Sequence, residues 1–453
     1  MSDKTIAAVS TPMGEGGIGI IRISGDSAIA VADKVFRGVT GEKLVDAKGY
    51  TAHFGEIFDD EGVIDEAVVT VFHAPKSYTG EDVAEISVHG GRYVVKKVLR
   101  TVLSNGAVCA EGGEFTKRAF LNGKMDLTKA ESVMGVISAT SDRTLKISNL
   151  GMRGKIGEEI DGIEKSLVHL AASFAAYADY PDEDLEGLDR ESFEKRLVEI
   201  KFNLENILKN YDAGRILREG IETAIVGKPN VGKSTLMNLL AGFQRSIVTD
   251  IAGTTRDVVE DTVLAGDIVL RLSDTAGIHS TEDTVESLGV KLALDKIDSA
   301  ELVLAVFDLS KPLDSNDYSL LENIKNRKTV IVLNKNDIAA DVDLKVFDGL
   351  PTVYISAKNG EGKDELIKAI EDITRVNNIN PDVAVLSSER QRACAQRALD
   401  AVDVSLEALI SGQTIDAAGV CVDDAVAALL ELTGKRVTNE VADEVFRSFC
   451  VGK

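Results

Sequence analysis

The fold is decided by the stretch Gly-Lys-Pro-Asn-Val-Gly-Lys-Ser at residues 227–234. An apolar run precedes it and a helical pattern follows, which is the strand–turn–helix context of a phosphate-binding loop. The glycines permit a tight turn whose N–H groups face phosphate oxygens, and the helix N-terminus adds positive potential. Lys233 is predicted to reach the β- and γ-phosphates, and Ser234 to bind Mg²⁺. A glycine-rich turn without a ligand is the disfavoured alternative. The predicted contacts here are Asn230, Val231, Gly232, Lys233, Ser234 and Thr235.

Two further segments are predicted to surround the γ-phosphate. An apolar strand at 268–273 leads to Asp274-Thr275-Ala276-Gly277, and carboxyl ends of strands are where α/β folds place ligand groups. Asp274 is expected to be the carboxylate that acts on Mg²⁺ from outside its direct ligands, and the Gly277 amide to sense the γ-phosphate. The polar run at 248–257 is predicted to be a mobile switch loop, with an ordinary polar loop as the alternative. Within it, Thr255 is the expected second hydroxyl ligand of Mg²⁺.

Two motifs predict that the bound base is guanine. Asn334-Lys335-Asn336-Asp337 follows an apolar strand at 329–333, and Ser356-Ala357-Lys358 follows another at 352–355. The Asp337 carboxylate can accept two hydrogen bonds from the guanine edge, which adenine cannot donate. A site built around such an acceptor rejects the wrong base strongly. We therefore predict GTP rather than ATP. Asn334 and Lys335 are expected to brace the loop and cover the ring, and residues 356–358 to touch guanine O6.

The catalytic segment departs from the Ras-like pattern. Ile278 follows the Asp-Thr-Ala-Gly motif, where Ras-like proteins carry the Gln that orients the attacking water. The sequence also offers no obvious arginine finger. Glu286 and His279 lie in the following segment and are candidates for organising the water. Solvent exposure is the commoner explanation for a single Glu or His in such a loop.

Length and composition describe a multidomain globular protein. The chain has 453 residues, 44% of them hydrophobic and 28% charged, with a net charge of −23. This acidity argues against broad sequence-independent nucleic-acid binding, and a solvated acidic surface explains most of it. No apolar run approaches the roughly 20 residues of a membrane span, and no secretory or transit pattern begins the chain. With four cysteines lacking metal-type spacing, a reducing cytoplasm is expected.

The pattern along the chain predicts four segments. Residues 1–120 mix β-like runs and turns, as in an α+β domain. Helical stripes occupy 121–218 and 377–453, and the α/β nucleotide domain lies between them at 219–376. The economical interpretation is one helical domain made from two segments, with the nucleotide domain inserted. Two separate helical bundles are the alternative.

The C-terminus and several N-terminal stretches resemble a known family. The chain ends in Phe-Cys-Val-Gly-Lys, where the final Lys453 argues against prenylation of Cys450, and a small buried residue would by itself explain this cysteine. With the inserted GTPase, these features resemble the bacterial and organellar tRNA-modification GTPases called MnmE or TrmE, over essentially the full chain. The other matching stretches are Gly-Ile-Gly-Ile-Ile-Arg-Ile-Ser-Gly at 17–25, Ser-Tyr-Thr-Gly-Glu-Asp at 77–82, His-Gly-Gly at 89–91, Gly-Glu-Phe-Thr-Lys-Arg-Ala-Phe-Leu-Asn-Gly-Lys at 113–124 and Leu-Arg-Glu-Gly at 217–220.

The resemblance implies a particular reaction and set of partners. Members act on tRNA with an FAD-dependent partner protein in a heterotetramer, and add a carboxymethylaminomethyl or aminomethyl group at C5 of the wobble uridine. The carbon unit comes from a 5-formyl- or 5,10-methylene-tetrahydrofolate. The N-terminal domain is implied to bind this folate and to form a homodimer. By motif position, the folate residues are Arg22, Glu81, Lys124 and Lys453.

The resemblance also implies how hydrolysis proceeds without an arginine finger. G domains of the family dimerise across their nucleotide faces, with K⁺ in the finger's place, where a finger is worth about 10³–10⁵ in rate. Glu286 matches the glutamate that orients water. Cys450 is implied either to handle the one-carbon unit or to serve local structure. The K⁺ ligands by motif are Asn230, Thr249, Ile251 through its carbonyl, and Thr254, within a nucleotide-contacting run that also includes Asp250, Ala252, Gly253 and Thr255.

Two other functions remain as alternatives. The GTPase segment alone is equally compatible with a regulatory switch of the ribosome-assembly type. The N-terminal segment and the tail favour tRNA modification, because a simple switch has no use for them. A folate-binding scaffold with a vestigial GTPase is disfavoured by intact Lys233, Ser234, Asp274 and Asp337.

Overall fold

A computed structural model describes residues 4–179, 189–241, 261–272, 297–380, 382–383, 385–447, 449 and 451–452. Their contacts define two compact units. The first contains the described parts of 1–134, 157–172 and 419–453, and the second those of 135–156 and 173–418. The predicted order of an α+β domain, helices, an α/β domain and further helices is confirmed.

The N-terminal part of the first unit is a seven-stranded sheet covered by two helices. Its strand order is β3-β4-β5-β6-β2-β1-β7, antiparallel except for the β1–β7 pair. The apolar face of the sheet and the apolar sides of α1 and α2 form one core. The elements are β1 (Ile6–Val9), β2 (Gly19–Ser24), α1 (Ala28–Val35), β3 (Phe36–Gly38), β4 (Thr51–Asp59), β5 (Gly62–Phe72), β6 (Val83–Val88), α2 (Arg92–Ser104) and β7 (Val108–Cys109).

Helices follow the sheet, and the first of them begins at Glu114, before the helical period of the sequence starts at residue 121. The stripes predicted from that period are buried: Ile160, Leu167 and Leu170 face inward on α6, as do Leu197 and Leu204 on α7. Burial of one apolar face is what stabilises such helices. These helices are α3 (Glu114–Leu121), α4 (Leu127–Ile137), α5 (Asp142–Met152), α6 (Lys155–Asp179), α7 (Arg190–Lys209) and α8 (Tyr211–Glu219).

The described residues of the second unit form a six-stranded sheet with the order β13-β12-β11-β8-β10-β9. All neighbours are parallel except β9 and β10. Strands β11 and β12 are buried at every position, as expected for parallel strands covered on both faces. The elements are β8 (Ile221–Val226), α9 (Lys233–Ala241), β9 (Asp261–Ala265), β10 (Ile268–Leu272), β11 (Leu302–Asp308), α10 (Ser315–Ile324), β12 (Thr329–Asn334), β13 (Thr352–Tyr354) and α11 (Lys363–Ile373).

The described residues from 385 onward contain three helices: α12 (Glu389–Ile410), α13 (Ile415–Thr433) and α14 (Asn439–Arg447). Their predicted apolar stripes are also buried, at Val402 and Leu409 on α12 and at Leu429 and Leu432 on α13. In the first unit, α14 contributes Phe446 to a core with the start of α4. No helix within the described part of the chain is long and apolar enough to cross a membrane.

Candidate functional site

The phosphate loop lies between β8 and α9, at the carboxyl edge of the parallel sheet. Gly227 and Gly232 have φ values of 149° and 101°, which side chains rarely adopt. A Cβ at Gly232 would overlap the Asn334 amide, so this glycine also permits close approach of another loop. Asn230 lies in the left-handed region at φ 63°, which Asn tolerates better than most residues. Ser234 and Thr235 are exposed at the first turn of α9.

The two lysines of the loop have different environments. The Lys233 ammonium lies within the loop, where it donates to the Gly227 and Lys228 carbonyls at 2.7 and 2.6 Å. Lys228 instead pairs with Asp314 at 2.8 Å and with Asp317. Burial opposes the charge of Lys228, but these carboxylates outweigh it and raise its pKa. Lys233 is therefore the lysine placed to meet phosphates, and Lys228 ties the loop to α10.

One buried amide joins the phosphate loop to the base-reading loops. Asn334 is 3% exposed at the end of β12. Its Nδ2 donates to the Val231 carbonyl at 2.8 Å, and its Oδ1 accepts from the Ala357 N–H at 3.0 Å. These two hydrogen bonds are the kind of contact that the predicted bracing role of Asn334 requires. The sequence did not reveal that one of its two partners lies in the phosphate loop.

Asp337 is prepared as a hydrogen-bond acceptor. The Ser356 hydroxyl donates to its Oδ1 at 2.6 Å. This hydrogen bond, followed by smaller contributions that include the charges of Lys358 and Lys335, lowers the pKa of Asp337. An ionised carboxylate offers only acceptors, which suits the two N–H donors of guanine. The structure therefore brings together the two motifs predicted to read the base.

Lys335 is fixed beside this acceptor. Its backbone is left-handed at φ 68°, and its ammonium donates to Asp308 Oδ2 at 2.6 Å. Burial alone would raise the pKa of Asp308, but hydrogen bonds from Lys335 and Ser310 outweigh it and lower the pKa. The ion pair holds the lysine stem at the end of β12, where it can cover a planar ring.

Several predicted site residues lie outside the described residues. In the switch loop these are Thr249, Asp250, Ile251, Ala252, Gly253, Thr254 and Thr255, and in the next motif Asp274, Thr275, Ala276 and Gly277. Glu286, Cys450 and Lys453 also lie outside the described residues. Among the residues that are described, no cluster of three His, Cys, Asp or Glu side chains could hold a metal.

A second cluster of predicted residues lies in the first unit, around residues 75–82. Arg22 on β2 donates from Nε to Glu85 at 2.8 Å and from Nη1 to the Gly452 carbonyl at 3.0 Å. Its guanidinium lies 5.3 Å from the centre of the Tyr78 ring. The cation is therefore hydrogen-bonded to the C-terminal tail through the Gly452 carbonyl, a particular contact that composition and periodicity did not indicate.

Two more of the residues assigned by resemblance are described: Lys124 contacts the same segment, and Glu81 lies in it. Lys124 Nζ donates to the Pro75 carbonyl at 2.9 Å. Glu81 accepts from the Ser24 hydroxyl at 2.8 Å and from Arg118 Nη1 at 3.1 Å. Sequence reasoning missed Ser24 and Arg118 as individual residues, although both lie in stretches that carry the resemblance, at 17–25 and 113–124. The structure thus brings Arg22, Glu81 and Lys124 to one loop.

A mostly parallel sheet with a phosphate loop, a loop lysine and a carboxylate that can accept hydrogen bonds from guanine defines a P-loop GTPase. Two family models match the chain: "GTP-binding protein TrmE N-terminus" over residues 5–124 and "MnmE helical domain" over residues 127–450. The chain belongs to the MnmE family.

Full-length relatives agree with this assignment. The tRNA modification GTPase MnmE of Clostridioides difficile is 39% identical, with 100% of this chain and 99% of the relative covered. The protein of the same name from Carboxydothermus hydrogenoformans is 40% identical, with 100% of both covered. Among solved structures, the G domain of the T. maritima FeoB iron transporter is 28% identical, with a TM-score of 0.26, and covers 34% of this chain and 98% of its own.

Proposed function

We propose that this chain is a potassium-activated GTPase whose cycle drives modification of the wobble uridine of certain tRNAs. Its family consists of GTPases that act in tRNA modification, and the proposal extends this to the cation, the position and the chemistry. The GTPase part of the proposal is supported by the Asn334 side-chain amide, which makes one hydrogen bond to the phosphate loop and one to the loop at 356–358. We place the segment boundaries near residues 120, 218 and 376.

Hydrolysis of GTP depends on positioning and charge, since phosphoryl transfer leaves little covalent chemistry to the protein. Lys233 and the loop N–H groups bind the β- and γ-phosphates, and Asp337 fixes the base. The Ser234 hydroxyl, exposed at the helix start, fits a Mg²⁺ ligand, with Thr255 as its proposed partner. When bound, Mg²⁺ neutralises phosphate charge.

The proposed K⁺ site compensates for the missing finger. Its proposed ligands are Asn230, which lies among the described residues, and Thr249, Ile251 and Thr254, which lie outside them. Glu286 is proposed to orient the attacking water, because Ile278 has no group for that task. The backbone of Asn230 is left-handed, at φ 63°. An asparagine therefore suits this position for two separable reasons: its side chain can bind K⁺, and its backbone tolerates this conformation.

The one-carbon chemistry is assigned to the first unit. Arg22, Glu81 and Lys124 converge on residues 75–82 and are proposed to bind a tetrahydrofolate derivative, together with Lys453. A carboxylate suits the amino edge of a pterin, and cations suit the glutamate tail. Cys450 is proposed to take part in transfer of the one-carbon unit. An FAD-dependent protein and a second copy of this chain are the proposed partners.

The test is GTP turnover by purified protein in KCl against NaCl at equal ionic strength. Asn230→Ala alone would be ambiguous, because a left-handed alanine costs about 1–2 kcal/mol of backbone strain. Asn230→Gly removes the side chain without that strain, and Asn230→Asp keeps an oxygen ligand. K⁺ activation in wild type, lost in Asn230→Gly and retained in part in Asn230→Asp, is the expected result. Equal rates in both salts would overturn the potassium proposal.

A further inference from the structure

Arg118 is a buried cation that makes several hydrogen bonds within the first unit. It lies on α3 and is 6% exposed. Its Nη1 donates to both oxygens of Glu81, at 3.3 Å to Oε1 and 3.1 Å to Oε2. Its Nη2 donates to Glu114 at 2.8 Å and to the Lys4 carbonyl at 3.0 Å. A guanidinium in this arrangement fixes the orientation of the carboxylates it contacts.

A second bond restrains the same carboxylate. The Ser24 hydroxyl lies 2.8 Å from Glu81 Oε2 and 2.7 Å from the Thr79 hydroxyl. Ser24 and Thr79 are both 0% exposed, whereas the Glu81 side chain is 20% exposed. Glu81 is therefore held from the buried side and open on the other.

The two Glu81 oxygens are not used equally. Oε2 receives the shorter bonds from Ser24 and Arg118, and Oε1 receives the 3.3 Å bond from Arg118. Each carboxylate oxygen has two lone-pair sites, so Oε1 retains capacity for another donor. A carboxylate that reads the amino edge of a heterocycle needs this combination of a fixed plane and an open acceptor.

We propose that Arg118 and Ser24 are positioning residues that present Glu81 to the amino edge of the pterin ring. This rests on the proposed folate function of the first unit, in which Glu81 meets the pterin, and adds the two residues that orient its carboxylate. The competing explanation is that the Arg118–Glu81 pair only ties α3 to the loop at 75–82. If the pair positions Glu81, disrupting it should weaken binding of a pterin fragment alone. If the pair only ties α3 to the loop, binding of every ligand fragment should weaken equally.

The test measures binding by calorimetry for three probes: 5-formyl-tetrahydrofolate, a 6-substituted pterin fragment and p-aminobenzoylglutamate. The variants are Ser24→Ala, which removes one hydrogen bond to Glu81, and Arg118→Lys. The lysine keeps the positive charge but lacks the two guanidinium nitrogens that donate to Glu81 and Glu114. Glu114→Gln is the matched control, because it alters the other carboxylate partner of Arg118. Thermal unfolding of every variant is recorded beside the binding.

Ser24→Ala is expected to weaken the folate and the pterin fragment about tenfold, the value of one hydrogen bond to a charged group. Arg118→Lys should weaken them at least as much. Affinity for p-aminobenzoylglutamate should not change, and Glu114→Gln should stay within about twofold for all probes.

Three outcomes that would overturn the proposal are distinguishable. Wild-type protein that binds none of the folate probes would overturn the folate function and this proposal together. Wild-type binding with Ser24→Ala unchanged for the pterin fragment would overturn the positioning role alone. Equal losses for all three probes, with a lowered unfolding midpoint, would assign the pair to structure. If Arg118→Lys does not fold, Ser24→Ala decides.

Discussion

Asn334→Ala is expected to weaken guanine nucleotide binding although Asn334 need not touch the nucleotide. The substitution removes two hydrogen bonds and leaves the Val231 carbonyl and the Ala357 N–H without this partner. A buried polar group left unsatisfied costs about 1–3 kcal/mol, so the pair costs about 2–6 kcal/mol. Part of this falls on the folded state and part on binding, because the two loops must be held together to contact phosphates and base.

The assay is fluorescent GDP binding together with thermal unfolding. GDP affinity should fall at least tenfold, which corresponds to about 1.4 kcal/mol of the total. Asn334→Asp is the informative companion, because it keeps the acceptor for Ala357 but places an oxygen against the Val231 carbonyl. It should therefore lose affinity as well. Wild-type GDP affinity in Asn334→Ala would refute the reasoning that this amide couples the loops.

Two further predictions concern the base and the tail. Asp337→Asn should lower the rate of GTP hydrolysis by about 10²-fold or more. The variant should instead favour xanthosine triphosphate, because its base carries an acceptor where guanine has its amino group. Hydrolysis of both nucleotides is measured, and an unchanged preference for GTP would contradict the role of Asp337 as the acceptor. Gly452 has φ 95° and no room for a Cβ beside the Val9 carbonyl, so Gly452→Ala should detach the tail from Arg22 and speed its trimming by carboxypeptidase. The matched control is Gly412→Ala, at φ 80° in open space, and equal trimming of both variants would contradict this anchoring.

The sequence predicted the elements that carry chemistry with small errors. The expected strand at 329–333 is observed as Thr329–Asn334, and the helix expected directly after the phosphate loop is observed as Lys233–Ala241. Apolar runs and the phosphate-loop motif are local signals, and tertiary structure did not override them. The buried stripes of α6 and α7 were predictable for the same reason, since their period of three and four residues defines one face.

Contacts between residues far apart in the sequence were not predictable. Asn334 and Val231 are 103 residues apart, and Arg22 and Gly452 are 430 apart. Neither contact leaves a pattern in composition or period, because each depends on how separate elements pack. The resemblance pointed to Glu81, but only the structure shows that Arg118, on a helix 37 residues away, and Ser24 fix its carboxylate.

The most direct test of the central claim is the wobble nucleoside of tRNA from cells that lack this chain. Mass spectrometry would compare complementation by wild type, Lys233→Ala and Lys228→Ala. Lys233 is the proposed phosphate ligand, whereas Lys228 pairs with Asp314 and Asp317. Wild type and Lys228→Ala should restore the C5-modified uridine, and Lys233→Ala should not. Full modification with Lys233→Ala, or unmodified tRNA with wild type, would contradict the claim that GTP hydrolysis by this chain drives tRNA modification.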